Sequence, residues 1–286
     1  MERRVRLGLA LAFCACLGAT CEKQSDRASL AHVHDVYASE FAETIVPATG
    51  ASCVSTPLPE VAAGPPAFEK TLAAIRELQA KPPEDEAVSA HLTVLEGMVY
   101  VQSGRIGLAK SALPDVQAAA AKLQTATGLD ARDALLARSF PYLVTGWERV
   151  QALQASGQCA FPEESPADLE TAADGIRAEL ASERANERLA SSEADAGALY
   201  LATTAAIFYV WDDKIRDDGC MRTSTEASRA CRAIYGTKYL ERGRDLVAQN
   251  LPPACTASPP ASGCDPSLAR YVDWYRFLDA EVERHD

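Results

Sequence analysis

Residues 196–211 read AGALYLATTAAIFYVW, a run without a single charged side chain. The run is rich in alanine, and its β-branched residues do not form a long stretch, which favours a helix over a strand. It is shorter than the roughly 20 apolar residues that a membrane-spanning helix needs. A helix that is apolar on every side lies inside a protein. We therefore predict a buried helix here, at the centre of the fold.

Helical patterns extend in both directions from this run, over residues 66–286. Three local sequences mark helix limits: Pro82-Pro83-Glu84-Asp85-Glu86, Ser165-Pro166-Ala167-Asp168 and Asp265-Pro266. Each places a proline or an acidic residue where the first turn of a helix favours it. No segment alternates apolar and polar residues as a strand would. The predicted fold class is all-α, either an array of helical hairpins or an irregular helical bundle.

Two amphipathic stripes support this prediction. The first follows Asp168 and consists of Leu169, Ala172, Ala173, Ile176 and Leu180. The second lies in the last helix and consists of Leu268, Tyr271, Val272, Tyr275, Leu278 and Val282. Spacings of three and four residues place each set on one helix face, which we expect to be buried.

The first residues resemble an export signal. Arg3, Arg4 and Arg6 precede an apolar run from Leu7 to Leu17, and small residues follow. The sequence Leu17-Gly18-Ala19-Thr20-Cys21 resembles a bacterial lipoprotein cleavage site, although Thr20 replaces the usual Gly or Ala. This resemblance implies a signal peptide over residues 1–20, lipidation (palmitate) of Cys21 and anchoring to a cell-envelope membrane. The alternative is an ordinary signal peptide and a secreted or periplasmic protein.

Residues 21–65 carry Pro47, Pro57, Pro59 and Pro65 and little periodic pattern. We interpret them as a lipid-anchored tether and an irregular strap, with one helix around residues 36–44.

The chain has nine cysteines. Cleavage before Cys21 would remove two of them and lipidation would use Cys21, which leaves Cys53, Cys159, Cys220, Cys231, Cys255 and Cys264. An even set in an oxidising compartment predicts disulfides, and no C-x-x-C pair indicates a metal site. Short spacing favours the pairs Cys255–Cys264 and Cys220–Cys231, which would leave Cys53 for Cys159.

The net charge of −12 bears on partners. An acidic chain without a basic cluster lacks the electrostatic footprint of a nucleic-acid-binding protein. Anionic headgroups would repel its surface, so we expect membrane association through the N-terminal lipid only.

One internal pattern recurs. Gly97, Tyr100, Gly104 and Ala109 have the same spacing as Gly236, Tyr239, Gly243 and Ala248. In a helical hairpin the first glycine would allow a close helix approach, the tyrosine would fill the adjacent groove, the second glycine would form the turn, and the alanine would lie at the crossing. These residues resemble the tetratricopeptide repeat, which implies a solenoid of helical hairpins of about 34 residues each.

The resemblance is degenerate. Tyr142 with Gly146, and Gly197 with Tyr200, form partial copies, and the copies are irregularly spaced. Pro114 falls in the second helix of the first hairpin and is expected to shorten or kink it.

Catalytic motifs are absent: there is no phosphate-binding glycine loop, no H-E-x-x-H and no G-x-S-x-G. His32 and His34 form an H-x-H pair in the tether without evident partner ligands, and we expect His91 at the surface or its boundary and His285 near the end. The acidic segment Asp212 to Asp218 places Asp213 and Asp217 four residues apart, where two carboxylates could hold a divalent cation. The alternative is a solvated helix end.

The leading hypothesis is a non-catalytic envelope lipoprotein that acts as a helical scaffold for a protein or peptide partner, without a cofactor. Tyr100, Tyr142, Tyr200 and Tyr239 are candidate contact residues, although in a repeat they serve mainly for packing. One alternative is a small-molecule-binding accessory of a transporter, with a pocket beside Tyr209 and Trp211. The other is a divalent-metal-dependent enzyme that uses the Asp212–Asp218 cluster.

Overall fold

A computed structural model describes residues 26–41, 68–81, 83–123, 129–155, 167–186, 196–221, 238–258 and 263–285. Within these ranges the regular structure is helical and no strand is present, as the sequence predicts. The helices are α1 (26–41), α2 (Glu69–Gln79), α3 (Glu86–Gln102), α4 (Ile106–Leu123), α5 (Leu129–Ala155), α6 (Ala167–Ala185), α7 (Ala196–Met221), α8 (Lys238–Ala248), α9 (Pro253–Thr256) and α10 (Ala269–His285). A single 3₁₀ turn, Pro266–Leu268, precedes α10.

The uncharged run forms the first part of α7 and lies in the core. Residues 197–212 are all buried, which confirms the prediction of a central buried helix. Helix α7 packs against α5, α6, α8 and α10. Among the described helices, none combines the length and the apolar character that crossing a bilayer requires.

Consecutive helices pack on one another from α3 to α8. In addition, α3 contacts α5 and α5 contacts α7, so alternate helices of the chain also touch directly. Helix α10 closes this series against α8 and α7, and α2 packs on α3 at the other side. Most of these pairings join helices that are next to each other, or next but one, in the chain.

The helix limits follow the predicted local chemistry. Asp85 caps α3 by accepting a hydrogen bond from the Ala87 N–H at 3.0 Å, and Asp265 caps the 3₁₀ turn through the Ser267 N–H at 2.9 Å. The predicted stripe on α6 is buried throughout, and on α10 only Tyr275 stays partly exposed.

Pro114 lies inside α4, where the sequence predicts a shortened or kinked helix. Helix α4 continues past Pro114 to Leu123 as a single helix, so the proline does not shorten it. Pro141 likewise lies inside α5, which runs unbroken from Leu129 to Ala155.

Helix α1 is the main departure from the sequence analysis. Residues 26–41 belong to the predicted tether, where a helix was expected only around residues 36–44. They form a helix whose Leu30, Val33, Tyr37 and Phe41 are buried in the core. The remaining tether residues, 42–65, and the leader with Cys21 lie outside the described residues.

Aromatic and charged contacts hold α1 against distant parts of the chain. The Tyr37 hydroxyl donates to Gln102 Oε1 of α3 at 2.9 Å, and the ring of Phe41 meets Tyr200 of α7 edge-on at 5.4 Å between centroids. Arg270 of α10 donates to the Phe41 carbonyl at 2.7 Å and places its guanidinium 4.6 Å from the centre of the Phe41 ring. Helix α1 thus bridges α3, α7 and α10.

Candidate functional site

The first predicted hairpin is present as α3 and α4. A Cβ on Gly97 would lie 2.8 Å from Val116 Cγ2 of α4, so this glycine permits the close helix approach that the pattern predicts. Gly104 has a φ of 70° and forms the turn between the helices. Ala109 is fully buried, and the Tyr100 hydroxyl donates to Glu96 Oε1 at 2.6 Å.

The second copy departs from its predicted geometry. Gly236 lies outside the described residues, and Tyr239 is buried. Gly243 was expected to form a turn, but it lies inside α8, where a Cβ would come within 3.2 Å of the Ala206 Cβ of α7. Ala248 is the last residue of α8. This glycine therefore serves close helix packing and not chain reversal.

The partial copies also mark helix crossings. Gly146 lies within α5, where a Cβ would overlap the Phe208 ring of α7, and Gly175 of α6 lies under the Tyr142 ring of α5 in the same way. Of the candidate contact tyrosines, Tyr200 and Tyr239 are 2% exposed, whereas Tyr100 and Tyr142 are partly buried. All four are packing residues.

One of the predicted disulfides falls within the described residues. Cys255 and Cys264 are joined, with a Cα–Cα distance of 4.8 Å. Cys21, Cys53, Cys159 and Cys231 lie outside the described residues, and the side chain of Cys220, near the end of α7, is outside them too.

Three residues that the sequence analysis kept apart meet in the interior. His34 of α1, His91 of α3 and Asp133 of α5 have side-chain exposures of 7%, 1% and 0%. The expectation of a surface position for His91 is therefore wrong, and His34 belongs to the core and not to a tether. His32, two residues from His34, is exposed. The side chain of His285 is outside the described residues.

The hydrogen bonds of this cluster fix its protons. His91 Nδ1 lies 2.7 Å from Asp133 Oδ2 and donates to it, because a carboxylate only accepts. Arg132 Nη2 donates to His34 Nδ1 at 2.5 Å, and Arg132 Nε donates to Asp133 Oδ1 at 3.2 Å. A neutral His34 ring therefore carries its proton on Nε2, which faces Asp133 Oδ2 at 3.3 Å.

Within the cluster, the positive charge of Arg132 neutralises the negative charge of Asp133. Burial alone would raise the pKa of Asp133, but hydrogen bonds from His34 and His91 and the charge of Arg132 outweigh it and hold that pKa well below its usual range. Asp133 is therefore an anion at neutral pH. Hydrogen bonds to His34 and His91 tie α1 and α3 to α5 through this cluster. Its imidazole and carboxylate groups are also the kinds that ligate transition metals.

A small cavity adjoins the cluster on the side of Arg132. It has a volume of about 50 Å³ and is lined by Tyr37, Phe41 and Tyr200 among other residues, with Arg132 as its charged member. A water molecule occupies about 30 Å³ in the liquid, whereas pockets for drug-sized ligands begin near 300 Å³. This cavity is therefore too small for a metabolite.

A larger groove lies on the surface between α2, α3 and α4. It has a volume of about 390 Å³. Small buried residues line it (Ala90, Gly97 and Ala119), and exposed polar residues surround them (Gln79, Asp115 and Lys122). We call it the α3–α4 groove.

The predicted functional residues of α7 are only partly described. Tyr209 and Trp211 are buried, and the Tyr209 hydroxyl donates to Asp174 of α6 at 2.5 Å, so both side chains belong to the core. Asp212 is also buried, contrary to a solvated helix end at this residue. The side chains of residues 213–218 lie outside the described residues, and the Asp213–Asp217 pair stays a prediction.

No family model, no curated protein and no solved structure matches this chain.

Sequence reasoning missed the His34–His91–Asp133 cluster, although part of it was accessible. Leu30, Val33, Tyr37 and Phe41 follow spacings of three, four and four residues, which is typical of an amphipathic helix. Had that helix been recognised, His34 would have been placed beside its apolar stripe. Asp133 directly precedes the apolar run Ala134-Leu135-Leu136-Ala137, but nothing in the sequence indicates that the two histidines face it.

Proposed function

We propose that this protein is a non-catalytic helical scaffold of the cell envelope that binds a basic segment of a partner protein in the α3–α4 groove. The groove itself carries the proposal. Its volume of about 390 Å³ accommodates several side chains, and small residues form its floor.

The charges around the groove favour a basic partner. Glu96 and Asp115 contribute two carboxylates to the lining. The positive charge of Lys122, which also lines the groove, is offset by Glu86 at 3.7 Å. The whole chain carries a net charge of −12, which attracts cations over a longer range. Complementary charge accelerates and directs such association.

The packing order of the helices supports a tetratricopeptide-like arrangement as part of this proposal. Hairpins α3–α4, α5–α6 and α7–α8 follow one another, and α3, α5 and α7 contact in sequence. In such stacks each hairpin contacts its neighbours, and the exposed surfaces serve partners. The α3–α4 groove lies at the α2 side of this series.

Binding is tested with the purified chain and fluorescent peptides of basic, neutral and acidic composition, by fluorescence anisotropy. Ala118 lines the groove and is exposed, so Ala118→Trp fills the groove without disturbing the core. Ala181→Trp, on the exposed face of α6, is the matched control. We expect basic peptides to bind, and Ala118→Trp to weaken binding at least tenfold while Ala181→Trp does not.

A charge reversal tests the electrostatic part of the proposal. Asp115→Lys should weaken binding of basic peptides, whereas Asp273→Lys, which changes an exposed aspartate on α10, should leave it nearly unchanged. Equal affinity in the Ala118→Trp and Ala181→Trp proteins would remove the groove from consideration. If affinity increased with the hydrophobicity of the peptide and did not depend on its charge, the proposal of a basic partner would be wrong.

Attachment to the envelope is a separate part of the proposal and rests on the leader and Cys21. Labelling of cells with an alkyne-tagged palmitate should mark the wild-type protein and place it in the membrane fraction. Cys21→Ser should lose the label and move to the soluble fraction. A Cys21→Ser protein that remains labelled and membrane-bound would refute lipidation at this residue.

A further inference from the structure

We propose that His34, His91 and Asp133 form a binding site for a divalent transition-metal ion such as Zn²⁺, and that Arg132 competes with the ion for this site. The proposal is independent of the partner-binding groove.

The three side chains lie close enough together to share one ion. Their candidate ligand atoms lie within 4.8 Å of one another. Two separations are smaller, with Asp133 Oδ2 at 2.7 Å from His91 Nδ1 and 3.3 Å from His34 Nε2. Bonds of about 2.1 Å in a tetrahedral site place ligand atoms about 3.4 Å apart, so small adjustments would bring all three around one ion.

The type of ligand indicates the type of ion. Two imidazoles and one carboxylate suit zinc, cobalt or iron, whereas Mg²⁺ and Ca²⁺ prefer oxygen ligands. Three protein ligands leave a fourth position of a tetrahedral ion for water or another small ligand. The buried carboxylate supplies a negative charge, which a cation would neutralise.

His34 contributes a buried nitrogen that faces the cluster. Its side chain is 7% exposed, and its Nε2 lies 3.3 Å from Asp133 Oδ2. A metal ion between these two atoms would replace their contact with a bond to each.

Arg132 determines whether the ion can enter. Its Nη2 hydrogen bond to His34 Nδ1 holds the His34 proton on Nε2, where an ion would bind. Binding requires this proton to move to Nδ1 and the guanidinium to leave that nitrogen. The Arg132 side chain is 23% exposed and lines the small cavity beside the cluster, so it has room to turn away.

His91 Nδ1 would likewise lose the proton that it donates to Asp133 Oδ2, because a ring nitrogen must be deprotonated to bind the ion. The positive charge of Arg132 opposes the ion at close range and so lowers its affinity.

The test uses the untagged full chain titrated with Co²⁺, followed by visible absorption, and then with Zn²⁺ in competition. Four-coordinate Co²⁺ bound to nitrogen and oxygen gives visible bands without the near-ultraviolet thiolate transition that binding to cysteine would add. We expect such a spectrum, its loss in His91→Gln and Asp133→Asn, and its retention in His32→Gln, the exposed neighbour on α1.

Arg132→Gln supplies the second variant. Because the guanidinium and the ion compete, this variant should bind Co²⁺ at least tenfold more tightly than the wild-type protein. That result stands even if Asp133→Asn does not fold, as judged by circular dichroism. Absence of Co²⁺ binding in both the wild-type and Arg132→Gln proteins would overturn the proposal, and so would an unchanged spectrum in a folded His91→Gln protein.

Discussion

Glycine positions determine how closely the helices of this protein approach. Gly97, Gly146, Gly175 and Gly243 all lie inside helices, where a Cβ would collide with or press against a neighbouring helix. Glycine inside a helix costs up to about 1 kcal/mol relative to alanine. Here the closer packing offsets that cost, because the facing rings and methyl groups occupy the space beside each glycine.

We predict opposite effects of one substitution at two glycines. Gly146→Ala should lower the free energy of unfolding by about 1–3 kcal/mol, since its methyl group overlaps the buried Phe208 ring. Gly107→Ala, in α4 with no atom within 4 Å of its Cβ, should raise stability by about 0.5–1 kcal/mol through helix propensity. Urea unfolding of both variants measures this. If both variants changed stability in the same direction and by the same amount, the α5–α7 crossing would have to accommodate the added methyl group without cost.

The same residues show which features can be predicted from sequence. The hairpin at Gly97 and Gly104 was predictable because a turn and its adjoining helices are encoded within about 30 residues of each other. The role of Gly243 was not predictable from sequence. A glycine that forms a turn and a glycine that allows a neighbouring helix to approach have the same appearance in a spacing pattern. His91 and Asp133 are 42 residues apart, and their pairing depends on how α3 and α5 pack.

At the level of helices, α1 caps its neighbour. Phe68 precedes α2 in the left-handed region, with φ of 51°, and its side chain offers no cap. The carboxylate of Glu40 in α1 supplies the missing cap. It accepts hydrogen bonds from the Thr71 N–H at 2.9 Å, the Lys70 N–H at 3.2 Å and the Thr71 hydroxyl at 2.6 Å. The start of α2 is thus satisfied only when α1 is docked.

This capping makes stability depend on pH. Partial burial would raise the pKa of Glu40, but the hydrogen bonds from Thr71 and Lys70 outweigh it and hold that pKa below its ordinary value of 4.5. The carboxylate therefore stabilises the fold fully above pH 4.5, and this contribution is lost as pH falls through the lowered pKa.

We predict that Glu40→Gln lowers the free energy of unfolding by about 1 kcal/mol at pH 7 and by less at pH 3. Urea unfolding at the two pH values measures the difference. Glu77→Gln, an exposed position on α2, is the control and should change stability by less than about 0.5 kcal/mol. A Glu40→Gln effect as large at pH 3 as at pH 7 would contradict capping by the carboxylate.

At the scale of the whole molecule, α1 contacts helices that lie far from it in the sequence. The Arg270–Phe41 hydrogen bond spans 229 residues of sequence, and the Arg132–His34 bond spans 98. Because these links connect α1 to α5 and α10, we expect α1 to unfold with the core and not as a separate unit.

Hydrogen exchange tests this expectation. Amides of residues 30–41 should be protected to the same degree as those in the buried part of α7. Arg270→Gln removes the bond to the Phe41 carbonyl and the contact with its ring, so it should speed exchange in α1 by about five- to tenfold, an effect near 1 kcal/mol. Arg276→Gln, which changes an exposed residue of α10, is the control and should leave exchange in α1 unchanged. Wild-type α1 amides that exchange well ahead of α7 would show that α1 detaches alone.

The position of α1 has a consequence for synthesis of the chain. The ribosome releases residues 26–41 well before Arg270, which holds Phe41 and follows it by 229 residues. Until then the apolar face of α1 has no complete native surface to cover it, and such faces invite aggregation. Binding by a chaperone during synthesis would keep this segment available. The earliest of the described helices is thus among the last to reach its final place.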